Sequence, residues 1–313
     1  MDTLRIATRK SPLALWQAEY VAGQLSKHHP GLPVTLVEVS TTGDRVLDVP
    51  LANIGGKGLF MKELEVALLE GRADIAVHSM KDVVVQLPPE FAIGAICERD
   101  DPLDAFVSND YEALERLPHG SRVGTCSLRR QAQLRAAFPA LQVMNLRGNV
   151  NSRLRKLDSG EFDAIILAAA GLKRLQMQDR IRHTIDTTVS LPAVGQGAVG
   201  IETRNDDFTV HDLLKPLDHE PTRRCVEAER ALNEQLEGGC QVPIGAFARI
   251  IGDRMILDGL VGSIDGKRML RTRVEGASDD PSRLGRQAAD ELVARGAREI
   301  LREVFDQSQS RQP

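Results

Sequence analysis

The sequence has few cysteines, few aromatic residues and no long apolar segment. The four cysteines, Cys97, Cys126, Cys225 and Cys240, are far apart and form no C-x-x-C pair. This argues against a structural zinc or a disulfide scaffold and predicts a cytoplasmic location. The longest apolar run, residues 164–172, is about half as long as a bilayer-spanning helix. The first residues lack the pattern of a signal peptide, and the scattered histidines form no metal-ligand motif.

Charge is unevenly distributed along the chain. The formal net charge of the 313 residues is −4. Residues 121–182 nevertheless hold ten arginines and two lysines against four acidic residues, a net charge of +8. A segment so unlike the rest of its protein is a candidate anion-binding surface.

Strand and helix patterns alternate through the first two thirds of the chain. Strands are predicted at residues 4–9, 34–40 and 74–79, with helices at 13–28 and 59–70 between them. The same alternation resumes near residue 104, and a strand at 198–203 is placed to return to the first unit. Such alternation is typical of an α/β fold with a largely parallel sheet.

A short motif recurs in these two units, and the pattern changes after them. Leu68-x-x-Gly71-x-x-Asp74 and Leu157-x-x-Gly160-x-x-Asp163 both close a helix and open a strand, which hints at two similar lobes. From about residue 220 a helix, three successive strands and further helices are predicted. Gly252-Asp253 and Asp265-Gly266 are hairpin turn signals between those strands. A third, small α+β domain is therefore expected.

Several arginines lie close to predicted strand ends or helix starts. A solvated basic face would account for any one of them. The set favours ligand binding, because the guanidinium fork binds a carboxylate through two hydrogen bonds and α/β folds place ligands at these edges. The candidates are Arg9, Arg129, Arg130, Arg147, Arg153, Arg155 and Arg174.

Two further residues are candidates for chemistry. Asp82 ends a mostly apolar strand beside Lys81, where a carboxylate can stabilise a developing cation, although a turn-capping role would place it there too. Cys240 follows Gly238-Gly239 on a predicted loop, where a thiol can be a nucleophile or a covalent tether. A lone cysteine is more often an inert small apolar residue.

The order of several motifs resembles the porphobilinogen deaminase (hydroxymethylbilane synthase) family over essentially the whole chain. The matching motifs are Arg5–Ala14, Gly58-Leu59-Phe60, His78-Ser79-Met80-Lys81-Asp82, Ser127-Leu128-Arg129-Arg130, Leu146-Arg147-Gly148-Asn149, Gly195-Gln196-Gly197-Ala198 and Gly239-Cys240-Gln241.

The resemblance implies an α/β architecture with two periplasmic-binding-protein-like lobes and a third small α+β domain. The first lobe would comprise residues 1–98 and 198–216, the second residues 103–192, and the cofactor-carrying C-terminal domain residues 220–313. The active site would lie in the cleft between the first two lobes, with hinges at residues 98–103 and 192–197.

The resemblance also implies the activity. Four porphobilinogen molecules would be deaminated and joined head to tail on a dipyrromethane cofactor, and hydroxymethylbilane would be released on the route to haem. Cys240 would hold the dipyrromethane and Asp82 would be catalytic. Cofactor-binding residues would be Lys81, Thr125, Ser127, Arg129, Arg130 and Arg153, and substrate-binding residues Arg9, Ser11, Phe60, Arg147, Arg153 and Arg174.

Expected partners follow from the same resemblance. The protein would bind porphobilinogen, act as a cytoplasmic monomer without metal, membrane or nucleic acid, and hand its product to uroporphyrinogen-III synthase. The sequence departs from the family pattern at Val84, Cys126, Ser152 and Asn53.

Two alternative functions remain: a non-catalytic two-lobed binding protein for a carboxylate anion, and a nucleic-acid-binding protein. The latter lacks interleaved aromatic residues and a basic isoelectric point.

Overall fold

The structure, a computed structural model, describes residues 2–45, 58, 60–239 and 242–309. The chain divides into two compact units. The first comprises residues 1–47, 56–100 and 197–223, and the second comprises residues 48–55, 101–196 and 224–313. The predicted boundaries of three domains stay a prediction.

The strands form three sheets. In chain order they are β1 Leu4–Arg9, β2 Val34–Val39, β3 Ile75–Ser79, β4 Phe91–Ile96, β5 Asp104–Val107, β6 Arg122–Gly124, β7 Gln142–Met144, β8 Ala164–Ala168, β9 His183–Ile185, β10 Val199–Arg204, β11 Ile244–Ile251, β12 Arg254–Gly262 and β13 Met269–Ala277.

Helices connect and cover these strands. They are α1 Pro12–His28, α2 Thr42–Arg45, α3 Lys62–Leu69, α4 Leu128–Ala137, α5 Val150–Asp158, α6 Ala169–Arg174, α7 Phe208–Leu214, α8 Glu220–Gln235, α9 Pro281–Ala294 and α10 Ala297–Gln309. Within the described ranges, no helix is long and apolar enough to cross a membrane.

The first unit is built on a five-stranded sheet with the order β2-β1-β3-β10-β4. The strands β2, β1 and β3 are parallel, and β10 runs antiparallel to both of its neighbours. Ser11 caps the helix that follows β1 by accepting a hydrogen bond from the Ala14 amide, and Pro12 occupies the first helical turn. The prediction that the strand near residue 200 returns to the first sheet is confirmed.

The second unit contains a sheet of the same design. Its order is β7-β6-β8-β5-β9, with three parallel strands followed by two that each run antiparallel to the preceding strand. Position by position, β6 corresponds to β1 and β8 to β3. The expectation of two similar α/β lobes is therefore confirmed by the topology.

The recurring motif accounts for part of this equivalence. Gly71 and Gly160 both adopt positive φ after a helix, at 66° and 76°. Asp74 accepts hydrogen bonds from the Arg5 backbone and side chain, and Asp163 accepts the same set from Arg122. In each sheet this ion pair fixes the start of one parallel strand against its neighbour.

The C-terminal part of the second unit is the expected small α+β structure. The strands β11, β12 and β13 form an antiparallel meander with turns at Gly252 and Gly266, which have positive φ of 64° and 77°. The helices α8, α9 and α10 contribute Leu232, Leu292 and Ile300 to one apolar core with this sheet.

Candidate functional site

In the first unit the predicted site residues lie at one edge of the sheet. Arg9 is the last residue of β1, and Lys81 and Asp82 follow the neighbouring parallel strand β3. The carboxyl ends of parallel strands share an edge, so the fold brings these residues to one side of the first unit. This is the edge at which open α/β sheets bind ligands.

Asp82 ends a single 3₁₀ turn, Met80–Asp82, that leaves β3. Its side chain is half-buried, whereas Met80 and Val83 on either side are buried in the core. No group in the described part of the chain donates a hydrogen bond to its carboxylate. Both carboxylate oxygens are therefore available to N–H groups of a ligand. A turn-capping role, the alternative for this residue, has no hydrogen bond to support it in the described residues.

Arg9, Phe60 and Ser11 lie around the same strand end. The Arg9 guanidinium lies over the Phe60 ring, 4.1 Å from its centroid. This cation–π contact orients the planar guanidinium against the ring. The Ser11 hydroxyl oxygen accepts a hydrogen bond from the Ala14 amide at 3.3 Å, which leaves its own proton for another acceptor.

In the second unit, Thr125 and Ser127 lie between β6 and α4. Thr125 is buried, and its hydroxyl oxygen accepts a hydrogen bond from the Ser127 amide at 3.3 Å. Ser127 caps α4 by accepting from the Arg130 amide. These contacts order the start of the helix that bears Arg129 and Arg130, at the carboxyl edge of the second sheet.

Arg129 and Arg130 are buried against one carboxylate. Asp104, at the start of β5, is fully buried. It accepts hydrogen bonds from Arg129 Nη1 at 2.8 Å and Nη2 at 3.1 Å, and from Arg130 Nε at 3.0 Å and Nη2 at 2.7 Å. The sequence pattern indicates both arginines but not Asp104, because nothing local to Asp104 predicts partners 25 and 26 residues away.

Two further residues of the second unit complete the surroundings of Asp104. The Ser190 hydroxyl donates to its Oδ2 at 2.7 Å, and the Gln196 amide donates to its Oδ1 at 2.9 Å. Gln196 also donates to the Pro102 carbonyl at 2.6 Å. The Asp104 carboxylate therefore links α4 to the segment that contains Ser190 and Gln196.

The electrostatics of this cluster leave an excess of positive charge. Burial alone would raise the pKa of Asp104, but the charges of Arg129 and Arg130 and their hydrogen bonds outweigh it and hold that pKa far below its usual value. Burial, together with the neighbouring charge of Arg130, lowers the pKa of Arg129, and Asp104 opposes this. Two cations share one anion, and Nε of Arg129 is buried without a partner among the described residues. The cluster suits a further anionic ligand.

The remaining predicted arginines follow β7 and β8. The Arg153 Nε donates to the Gly148 carbonyl at 2.7 Å. Gly148 has a φ of 118°, and a Cβ there would lie 2.2 Å from the Ser152 hydroxyl oxygen. Arg147 precedes this glycine, and its Nη1 is buried without a hydrogen-bond partner among the described residues. Arg174, at the end of α6, is buried.

Some predictions fall outside the described residues. They are the proposed tether Cys240 and the departure at Asn53. Cys126, the second thiol of interest, is described as free and half-buried just before α4. In the parts of the chain that are described, no group of three or more histidine, cysteine or acidic residues is arranged to hold a metal ion.

Comparison with protein families gives two matches that together span most of the chain. Residues 4–212 match the model described as "Porphobilinogen deaminase, dipyromethane cofactor binding domain". Residues 223–294 match the model described as "Porphobilinogen deaminase, C-terminal domain". The resemblance found from the motifs is therefore confirmed.

Solved structures of binding proteins are also similar, at low identity. A putative methionine-binding lipoprotein from Bacillus subtilis is 13% identical with a TM-score of 0.43, and the match covers 69% of this chain and 90% of that one. A periplasmic substrate-binding protein of an ABC transporter from Coxiella burnetii is 15% identical with a TM-score of 0.43, covering 68% and 91%. At these scores the similarity carries no functional argument.

Proposed function

The chain belongs to the porphobilinogen deaminase family, and from this premise we propose that Asp82 is its catalytic residue and Cys240 the attachment point of its cofactor. The matches to both family models underlie this proposal. Its structural support is the half-buried Asp82 carboxylate, which no described group engages, at the carboxyl edge of the first sheet.

The activity is that of hydroxymethylbilane synthase, a transferase of tetrapyrrole and haem biosynthesis. It deaminates four porphobilinogen molecules and joins them head to tail on a dipyrromethane cofactor, and hydroxymethylbilane is released. The family match supports this enzyme and not the alternative of a non-catalytic anion-binding protein. The bound dipyrromethane supplies the free pyrrole α-carbon at which the first new carbon–carbon bond forms.

The donor groups of the second unit fit a cofactor that bears several carboxylates. Arg129 and Arg130 together carry one positive charge more than Asp104 neutralises. Buried nitrogens of Arg129 and Arg147 have no partner among the described residues. We assign cofactor contacts to Lys81, Thr125, Ser127, Arg129, Arg130 and Arg153.

The predicted site residues of both units are each assigned a role that their surroundings permit. Asp82 accepts hydrogen bonds from pyrrole N–H groups and stabilises the positive charge that develops as ammonia leaves. Arg9 binds a substrate carboxylate from its position over Phe60, and the Ser11 proton is available to the same ligand. Arg147, Arg153 and Arg174 bind the carboxylates of porphobilinogen units.

The activity is tested by supplying porphobilinogen to the purified protein. Release of ammonia and formation of a linear tetrapyrrole are expected, and the intact mass should exceed the sequence mass by two linked pyrrole units. Absence of both the mass excess and ammonia release, after expression in a haem-making host, would contradict the proposal.

Three further properties are proposed with the activity. We expect a monomer, which size-exclusion chromatography with light scattering tests. We expect a cytoplasmic location, which agrees with the absence of a disulfide among the described cysteines Cys97, Cys126 and Cys225 and is tested by fractionation of the source cells. We also expect the product to pass to uroporphyrinogen-III synthase, which co-purification and coupled assays test.

A further inference from the structure

A buried pair of ionisable side chains joins β3, the strand that leads to Asp82, to its neighbour β10. His78 on β3 and Glu202 on β10 lie diagonally across two adjacent antiparallel strands, and their Nε2 and Oε2 atoms are joined by a hydrogen bond of 2.7 Å. Their side chains are only 4% and 0% exposed. Burying two such groups costs free energy that apolar residues would not. No step described above uses either of them.

This pair is the first of several contacts that fix the chain between β3 and Asp82. The next residue, Ser79, accepts a hydrogen bond from the buried Gln17 at 2.8 Å. The Met80 amide then donates to the Ala198 carbonyl at 3.0 Å. Two residues later the chain reaches Asp82. His78 and Met80 are therefore held by β10 and the residue before it, and Ser79 is held by α1.

β10 is shaped to receive this segment. Gly200 lies opposite His78 in the antiparallel register, and a Cβ at Gly200 would lie 2.1 Å from the Met80 sulfur. The missing side chain lets Met80 pack directly against the β10 backbone. Glu202, two residues further, then binds His78. The same strand thus sets both the depth of Met80 and the position of His78.

Among the described residues, His78 and Glu202 are joined by one hydrogen bond, and no other partner is placed to replace it. Oε1 of Glu202 is buried without a partner among the described residues. Burial, and then the negative charge of Glu202, raise the pKa of the nearby Glu65, while His78 acts in the opposite direction. Loss of the His78–Glu202 bond would leave two buried polar groups unsatisfied, which favours displacement of the strand end.

We propose that His78 and Glu202 are positioning residues for Asp82. Their bond ties β3 to β10 at the point where β3 leaves the sheet and so fixes the 3₁₀ turn that ends at Asp82. Neither residue is assigned a contact with substrate, so they act through the backbone of residues 79–82. The inference rests on the catalytic role proposed for Asp82.

The test compares Glu202→Leu and Glu202→Gln with a control at the other end of β3. Glutamine keeps the shape and can hydrogen-bond the imidazole Nε2 in either tautomer, through its amide oxygen or its NH2 group, whereas leucine removes the bond. The control is Asp74→Leu, which breaks the ion pair between the buried Asp74 carboxylate and the partly exposed Arg5 just before β3 begins. Intact mass gives the fraction of molecules with bound cofactor, and kcat and KM for porphobilinogen are expressed per such molecule.

Glu202→Leu is expected to lower kcat by about 10- to 100-fold, the usual effect of displacing a catalytic group by a fraction of an ångström to one ångström. Its KM should stay near the wild-type value, and Glu202→Gln should keep most of the wild-type kcat. Asp74→Leu should lose stability but keep its kcat, because its pair lies away from Asp82. Equal kcat values in Glu202→Leu and Asp74→Leu would overturn the inference.

Two further variants ensure that the experiment distinguishes the positioning role from the catalytic role. If Glu202→Leu does not fold, His78→Met removes the same bond with a flexible apolar side chain, and the same comparison with Asp74→Leu applies. Asp82→Asn is measured alongside. If Asp82→Asn is fully active, the proposed catalytic role fails. If Asp82→Asn is inactive and Glu202→Leu has normal kcat, only the positioning role fails.

Discussion

Arg129 binds Asp104 through both terminal nitrogens of its guanidinium, at 2.8 and 3.1 Å, in the interior of the second unit. Arg130 binds the same carboxylate. Such a triad would be a poor way to gain stability alone, because an apolar cluster of equal volume is often as stable. Its excess positive charge makes sense if the arginines also face an anionic ligand, and Asp104 then holds them in place before that ligand arrives.

Asp104→Asn should lower the free energy of unfolding by about 3–5 kcal/mol, the usual cost of removing one member of a buried charge cluster. The matched control is Asp158→Asn, which breaks the exposed pair with Arg180 in the same unit and should change stability by about 1 kcal/mol or less. Urea unfolding measures both variants. Similar losses in the two would contradict a special role for Asp104.

The same residue predicts a pH dependence of stability. The folded-state pKa of Asp104 lies far below its usual value, so its ionised form stabilises the fold at all pH values above the unfolded-state pKa of about 3.9. This contribution is lost as pH falls below that value. The free energy of unfolding of the wild type should therefore decline more steeply between about pH 4 and pH 2 than that of Asp104→Asn. Parallel declines, measured by urea unfolding, would refute this.

The sequence was sufficient to predict features with a local signature. The hairpin glycines Gly252 and Gly266 are specified by residues within one turn. The repeat of Gly71-x-x-Asp74 at Gly160 anticipated the second sheet, because each motif performs the same capping and pairing with an upstream arginine.

The sequence was insufficient where partners are distant. β4 and β9, edge strands of six and three residues, were not predicted, and the position of β5 was marked only as the start of a new unit. Asp104 and Glu202 look like any strand-end or strand-interior acid until the fold places Arg129 and His78 beside them. Their roles depend on sheet order, which no local pattern encodes.

Replacing Cys240 should abolish the covalent cofactor. In Cys240→Ala the intact mass should equal the mass of the bare sequence, since the thioether has no sulfur to form on, and turnover should be lost. The companion variant Cys126→Ala removes the half-buried thiol before α4 and should keep the adduct. An adduct that persists in Cys240→Ala and disappears in the double variant would move the tether to Cys126.

Asp82→Asn should separate cofactor attachment from turnover. Asparagine has the same shape but cannot stabilise a cation, so kcat should fall by about 10²- to 10⁴-fold, as is typical when a catalytic acid–base or charge-stabilising group is lost. Because the carboxylate makes no hydrogen bond to other described residues, the thermal unfolding midpoint should change little. Mass spectrometry, calorimetry and porphobilinogen turnover check the three expectations. A near-normal rate would remove Asp82 from the mechanism.

Arg147 offers the sharpest test of carboxylate binding, because Nη1 is buried and has no partner in the described part of the chain. A charge-assisted hydrogen bond to a substrate carboxylate contributes about 1.5–3 kcal/mol, so Arg147→Met should raise KM for porphobilinogen by about 10- to 100-fold. Stability should not fall, since the substitution removes an unsatisfied buried polar atom.

The control for this prediction is Arg155→Met, on the nearby helix α5, where the side chain is exposed and is assigned no ligand contact. Its KM should equal that of the wild type. This result would show that the loss of one positive charge from the basic segment is not enough to raise KM. If both variants raise KM equally, and the increase disappears at high salt, the segment attracts substrate through its overall field, and Arg147 has no specific bond to it.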